Sequence, residues 1–263
     1  MEVNTFVHKF SHPEERKQYL EMLKIGSAFD MRPRALFHYY GPDLIAYKKR
    51  YLSNPQVNYF LRVFSAYLTT HLEDDCPESW EECGPEFWEE LITVYFPYYM
   101  KITLEQNQTE SFFTQLLKFT RWLDKRTGWS CYEIVKKCME ENRSELTSVE
   151  SLLNDLMLYS FPNLHEQGWN TRAALEEITE QLKMCSSTVE SLFEVRQVTD
   201  TMIVLYDIAG DRSYQINNIS KHISPGTLIF GEIGRKGREL YWILFFTQTV
   251  YPPKAKQYIV VGG

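Results

Sequence analysis

Leu-Phe-Glu-Val-Arg-Gln-Val at 192–198, Thr-Met-Ile-Val-Leu-Tyr-Asp-Ile at 201–208, Arg-Ser-Tyr-Gln-Ile at 212–216, Gly-Thr-Leu-Ile-Phe-Gly-Glu-Ile at 226–233 and Leu-Tyr-Trp-Ile-Leu-Phe-Phe-Thr at 240–247 decide the fold class. Each run is rich in β-branched and aromatic residues, and turn residues separate each from the next. Asp207-Ile-Ala-Gly210-Asp211 reads as a hairpin turn, Ser224-Pro225-Gly226 as a second turn and Gly234-Arg235-Lys236-Gly237 as a third. Short strands at this spacing predict a small all-β module, an SH3-like or OB-like barrel, because closure removes exposed strand edges.

Everything before residue 189 reads as helix. Ser11-His12-Pro13-Glu14 has the Ser and the later Glu of a capping box, and the helix it opens runs to about Gly26. Pro42 and Asn54-Pro55 start two more, the second carrying Val57, Phe60, Leu61, Phe64 and Leu68 at helical spacing. Pro85 opens a helix that Pro97 is expected to stop. The longest is expected from Thr109 to Arg126, with Gly128 as its C-terminal cap. Cys131–Glu141 and Ser148–Tyr159 read as two separate helices, and Thr171–Met184 as the last. The fold class expected is α+β: an irregular antiparallel helical domain over 1–188, then the β-barrel-like module over 189–263, packed together.

The chain has 263 residues, 44% of them apolar and 15% aromatic, as in an ordinary soluble globular protein. No apolar run reaches the ~20 residues a bilayer needs, and the N-terminus lacks a basic region followed by an apolar stretch. Five cysteines, an odd number, point to reduced thiols and a cytoplasmic location. Cys76 and Cys83, like Cys131 and Cys138, are seven residues apart, which would put each pair on one helix face. That is not the spacing of a zinc site. The net charge of −7 is uneven: from Ser191 onward there are eight basic and six acidic residues, so the helical body carries the acidity. An acidic body does not suit a large phosphate-tracking surface.

Phe87-Trp88-Glu89-Glu90-Leu91 through Phe119-Thr120-Arg121-Trp122-Leu123, followed by Phe193-Glu194-Val195, Val204-Leu205-Tyr206-Asp207 and Pro225-Gly226-Thr227-Leu228-Ile229-Phe230-Gly231, resembles a pattern in uncharacterised bacterial proteins, in which a helical region precedes a compact β module. The Cys/His tail that some such proteins carry for metal has no counterpart, since no cysteine follows Cys185. The helical segment is also similar to the DNA-clamping domain of tyrosine recombinases, without their catalytic Arg/His/Tyr part.

Few residues carry chemistry. His71, Glu73, Asp74, Asp75, Cys76, Glu81, Glu82 and Cys83 are the densest set of potential ligands, but they follow no ligand spacing and read as a solvated acidic link. His165-Glu166 lacks the second His of a zinc helix. Gly231-Glu-Ile-Gly234-Arg-Lys-Gly237 is followed by a strand rather than the helix a phosphate loop needs. There is no nucleophile elbow, so no catalytic residue, cofactor or metal is assigned. Trp80, Trp88, Tyr95, Tyr98, Tyr99, Trp122 and Trp129 read as helix–helix core. In the β module, Arg235, Lys236, Arg238, Lys254, Lys256 and Tyr241 are the residues to contact an anion or nucleic acid, with Tyr206, Tyr214, Phe230 and Trp242 as further aromatics. The expectation is a cytosolic, non-enzymatic adaptor that binds a protein partner and no membrane. The alternatives are nucleic-acid binding by the β module and an enzyme with a nonlocal, metal-assisted hydrolytic site using His71 and nearby carboxylates.

Overall fold

A computed structural model describes residues 10–259. The chain divides into two compact units, with the boundary between Glu82 and Cys83. The first contains α1 (Pro13–Gly26), α2 (Gly41–Lys49) and α3 (Pro55–Ala66), the last continuing as a π-helical turn over Tyr67–Leu72. Phe29, Leu44, Tyr47, Phe60, Phe64 and Tyr67 are all fully buried. The start signal at Asn54 is used as its chemistry suggests: Asn54 Oδ1 accepts from Val57 N at 3.1 Å. At α1 the reciprocal half of the capping box forms one residue late. Ser11 N donates to Glu15 Oε2 at 2.7 Å, and the N-cap His12 makes no side-chain cap.

The second unit holds α4 (Pro85–Glu90), a π-helical segment over Leu91–Tyr95, α5 (Phe96–Tyr98), α6 (Gln108–Thr127), α7 (Tyr132–Ser160) and α8 (Thr171–Lys183), together with the whole sheet. The helical run ends at Tyr98, one residue past Pro97, as the stop signal implies; Pro97 itself lies within the three residues of α5, which follow directly on the π segment. A proline lacks the N–H for the carbonyl four residues back and would collide with it; the wider π turn relieves both problems.

The two helices expected between Cys131 and Tyr159 are one, α7, of 29 residues. The polar stretch that suggested a break bonds to its own helix instead. Asn142 Nδ2 donates to Cys138 O (2.7 Å), Thr147 Oγ1 to Arg143 O (2.9 Å) and Ser148 Oγ to Ser144 O (3.1 Å). Its first turn is capped from α6: Asp124 accepts from Cys131 N and Tyr132 N at 2.9 and 3.2 Å. Gly128, in the left-handed conformation at φ 78°, closes α6 as expected. Cys131 is thus the N-cap of α7 and Cys138 lies within it, while Cys76 and Cys83 belong to no helix.

The N-terminus of α6 is satisfied by α7. Its N-cap Asn107 makes no side-chain cap bond; its Nδ2 donates instead to Glu105 Oε2 at 3.3 Å. Instead Glu150, 1% exposed, accepts from Gln108 N on Oε1 (2.8 Å) and from Thr109 N on Oε2 (3.0 Å). One turn on, Asn154 Oδ1 accepts from Thr103 N at 3.1 Å and its Nδ2 donates to Glu150 O at 2.8 Å, which fixes the approach to α6.

Five antiparallel strands form one sheet: β1 (Ser187–Val198), β2 (Met202–Asp207), β3 (Arg212–Asn217), β4 (Leu228–Arg235) and β5 (Ile243–Tyr251), in the order β3-β2-β1-β4-β5. The α+β class holds, but the barrel does not close. Edge strands β3 and β5 share no ladder. A single parallel bridge joins Ile216 to Trp242, with Trp242 N donating to Gln215 O at 2.8 Å. β3 has only six residues and β5 begins at Ile243, so the two edges meet at one point and the sheet stays open. The β2–β3 turn forms around Asp207, whose Oδ1 accepts from Ser191 Oγ (2.5 Å), Ala209 N (3.1 Å) and Gly210 N (3.0 Å).

β4 and β5 slip register at Gly231, where a Cβ would lie 2.3 Å from Phe246 O. Gly231→Ala should therefore cost about 2–3 kcal/mol by forcing the strands apart. Gly84→Ala, where a Cβ meets nothing within 4 Å, should cost less than about 1 kcal/mol. Urea midpoints measure both, and equal midpoints would contradict the close approach.

Candidate functional site

The β4–β5 turn gathers Arg235, Lys236, Arg238 and Tyr241. Arg235 ends β4 opposite Ser187 of β1, and Gly237 takes the left-handed conformation at φ 56°. The turn is tied to the chain leaving α8: Ser186 N donates to Arg235 O (2.8 Å), and Ser186 Oγ lies within bonding distance of Arg235 O (2.9 Å) and Gly237 O (3.2 Å). The Arg235 guanidinium lies over the Trp242 ring at 5.3 Å, and Lys236 Nζ is 6.0 Å from the Phe245 centroid. Among the described residues, none of Arg235, Lys236 and Arg238 has an ion-pair partner. Leu240 (75% exposed) and Tyr241 (41%) stand beside them. A fixed turn thus presents unpaired positive charge next to exposed apolar surface.

Lys254 and Lys256 are elsewhere. They sit on the 3₁₀ turn Pro253–Gln257 that follows β5. Tyr251 pairs with Leu228 at one end of β4, whereas Ile243 pairs with Gly234 at the other. Six residues of strand separate them by roughly 20 Å. Both lysines are also occupied. Lys256 Nζ reaches Glu194 Oε2 at 2.9 Å, and Lys254 Nζ reaches Glu89 Oε1 at 3.0 Å and Glu141 Oε2 at 3.7 Å. Gln257 Nε2 and the Tyr258 hydroxyl donate to Glu89 Oε2 at 2.9 and 2.7 Å. This carboxylate therefore latches the C-terminal turn onto α4. The six cations and aromatics do not form one surface.

The remaining aromatics present few free faces. Tyr206 is covered by the Arg196 guanidinium at 4.4 Å, and its hydroxyl donates to Asp211 at 2.7 Å. Tyr214 is 8% exposed and packs edge-on against Trp242 at 4.7 Å. Gly231 and Gly234 lie inside β4, where a Cβ on Gly234 would meet Cys185 Sγ at 2.8 Å and the Phe245 ring at 2.9 Å. These glycines serve strand packing. Trp80 and Trp88 are buried core, while Tyr98 and Trp129 are exposed.

A constellation invisible in the sequence joins α7 to the β3–β4 connection. Asp155 Oδ2 accepts from Ser220 Oγ at 2.6 Å and lies 2.8 Å from His222 Nδ1, with His222 N donating to Ser220 Oγ at 3.0 Å. Sixty-five and 67 residues separate Asp155 from these partners, beyond the reach of any local motif. The residue types are those of a catalytic triad, but the bonding is not. The serine hydroxyl donates its hydrogen bond to the aspartate rather than to the imidazole, so the imidazole is not placed as its base. The cluster anchors the loop instead.

The acidic link of the first unit folds as two 3₁₀ turns, Glu73–Asp75 and Trp80–Glu82. Glu73 pairs with Arg34 at 2.8 Å, and burial pushes the Cys76 thiol up to about 11. Among the described residues no three His, Cys, Asp or Glu side chains converge as metal ligands. All five cysteines are free thiols, and among the described residues no helix is long and apolar enough to cross a membrane. No protein family, curated protein or solved structure matches the chain.

Burial raises the Glu89 carboxyl, but the bonds from Tyr258, Lys254 and Gln257 outweigh it and hold the group below its ordinary 4.5. The latch is then complete above about pH 4.5 and is lost as pH falls through the lower folded value. Glu89→Gln should cost about 1–3 kcal/mol at pH 7, and the gap from the unaltered protein should close toward pH 3. Urea unfolding across that range checks it; a pH-independent gap would contradict the latch.

Proposed function

We propose that this protein is a cytosolic, non-enzymatic adaptor that binds an acidic segment of a protein partner through its β4–β5 turn. The observation that carries the reading is the set of unpaired cations, Arg235, Lys236 and Arg238, held on a fixed turn beside exposed Leu240 and Tyr241. Interfaces of this kind combine an apolar anchor with charges that steer the encounter and set its register. Nucleic acid could use the same charges, but binding of single strands also needs aromatic faces open for stacking. Tyr206 and Trp242 have guanidinium groups over them and Tyr214 is buried, so exposed Tyr241 stands without a continuous stacking surface, which favours a protein partner. The five free thiols suit a reducing compartment.

Affinity capture with mild crosslinking tests the proposal. The unaltered protein and Lys137→Glu, changed at a 78% exposed side chain remote in sequence from the turn, should retain the same partner. Lys236→Glu combined with Arg238→Glu should lose it at least about tenfold. Retention by the double variant would overturn the assignment. So would retention of nucleic acid alone, weakening with salt.

A further inference from the structure

A cavity of about 410 Å³ opens between the last turn of α7, α8 and the start of β5. It adjoins the β4–β5 surface, since Lys236 Nζ lies 6.0 Å from the ring of its wall residue Phe245. Its walls include Phe161 (6% exposed) and Phe245 (5%), with Trp169 set edge-on to Phe161 at 5.5 Å. Its volume is that of a small-molecule site.

Two polar features point to a ligand. Ser160 is among the residues lining the cavity, and its Oγ, shielded from solvent, has no hydrogen-bond partner. A buried hydroxyl without a partner costs free energy unless something supplies one. The second is Glu177, the one charged residue among the described residues that line the cavity. Its neighbours on α8 are neutralised: Glu176 pairs with Arg172 at 2.9 Å and Glu180 with Lys183 at 2.7 Å. Glu177 accepts only a 3.4 Å bond from Gln181 Nε2. Lys236, close to the Phe245 ring, is not among the lining residues.

Aromatic walls with a single unpaired carboxylate suit an organic cation, through the ring quadrupoles and the charge together. We propose that this cavity binds a small organic amine in its ammonium form. Its apolar body lies among Phe161, Trp169 and Phe245, and its N–H groups are directed to the Glu177 carboxylate and the Ser160 hydroxyl.

The test is calorimetric titration of the full chain with benzylammonium, benzyl alcohol and phenylacetate, with the indole N–H signal of Trp169 followed by NMR. Benzylammonium should bind saturably and shift the Trp169 signal. Benzyl alcohol should bind about tenfold more weakly, and phenylacetate not at all. Glu177→Gln, on an exposed helix face, should bring benzylammonium down to the level of benzyl alcohol. The proposal is overturned if benzylammonium fails to saturate, if it binds without moving Trp169, or if Glu177→Gln binds it as tightly as the unaltered protein.

Discussion

The carboxylate of Glu150 is the contact on which the second unit depends. It is 1% exposed, and a buried carboxylate is tolerated only where donors replace its water. The donors here are the first two amides of α6, which have no partner within their own helix. Each side solves the other's problem: α6 gains a cap that Asn107 does not give, and Glu150 gains two bonds and the positive end of a helix dipole. Because Glu150 lies within α7, the cap also sets where α6 stands along α7. Asp124 returns the favour at the other end by capping α7 from α6.

α7 in turn positions the sheet. Asp155, five residues beyond Glu150, holds Ser220 and His222 of the β3–β4 connection. Phe161, just past its end, packs near Phe246 of β5 at 6.1 Å. One helix therefore carries the α6 cap, the loop anchor and a wall of the amine cavity. Trp242, which bridges to Ile216 of β3, lies with its ring under the Arg235 guanidinium of the β4–β5 turn.

Local signals were readable where the physics is local. Alternating strand residues, the Asn54 cap, the Gly128 terminus and the Asp207–Gly210 turn each act within a few residues, and each stands where the sequence places it. The misreadings have nonlocal or competing causes. The polar run after Glu141 looks like a break until its side chains are seen to bond to their own helix. Barrel closure depends on how far two edge strands overlap, which strand composition does not encode. The basic residues were all legible as residues, but their freedom was not. Lys254 meets Glu89 across 165 positions, while among the described residues Lys236 and Arg238 meet no carboxylate. Asp155 and His222 left no trace in any short pattern.

Native-state hydrogen exchange at the amides of Gln108 and Thr109 tests the central claim most directly, that α7 caps α6 through Glu150. In an uncapped helix these amides exchange with the fraying first turn. Here they should be protected as strongly as the amides in the middle of α7, and Glu150→Gln should weaken that protection while the amides near Leu116 change little. Fast exchange at Gln108 and Thr109 in the unaltered protein would contradict the account.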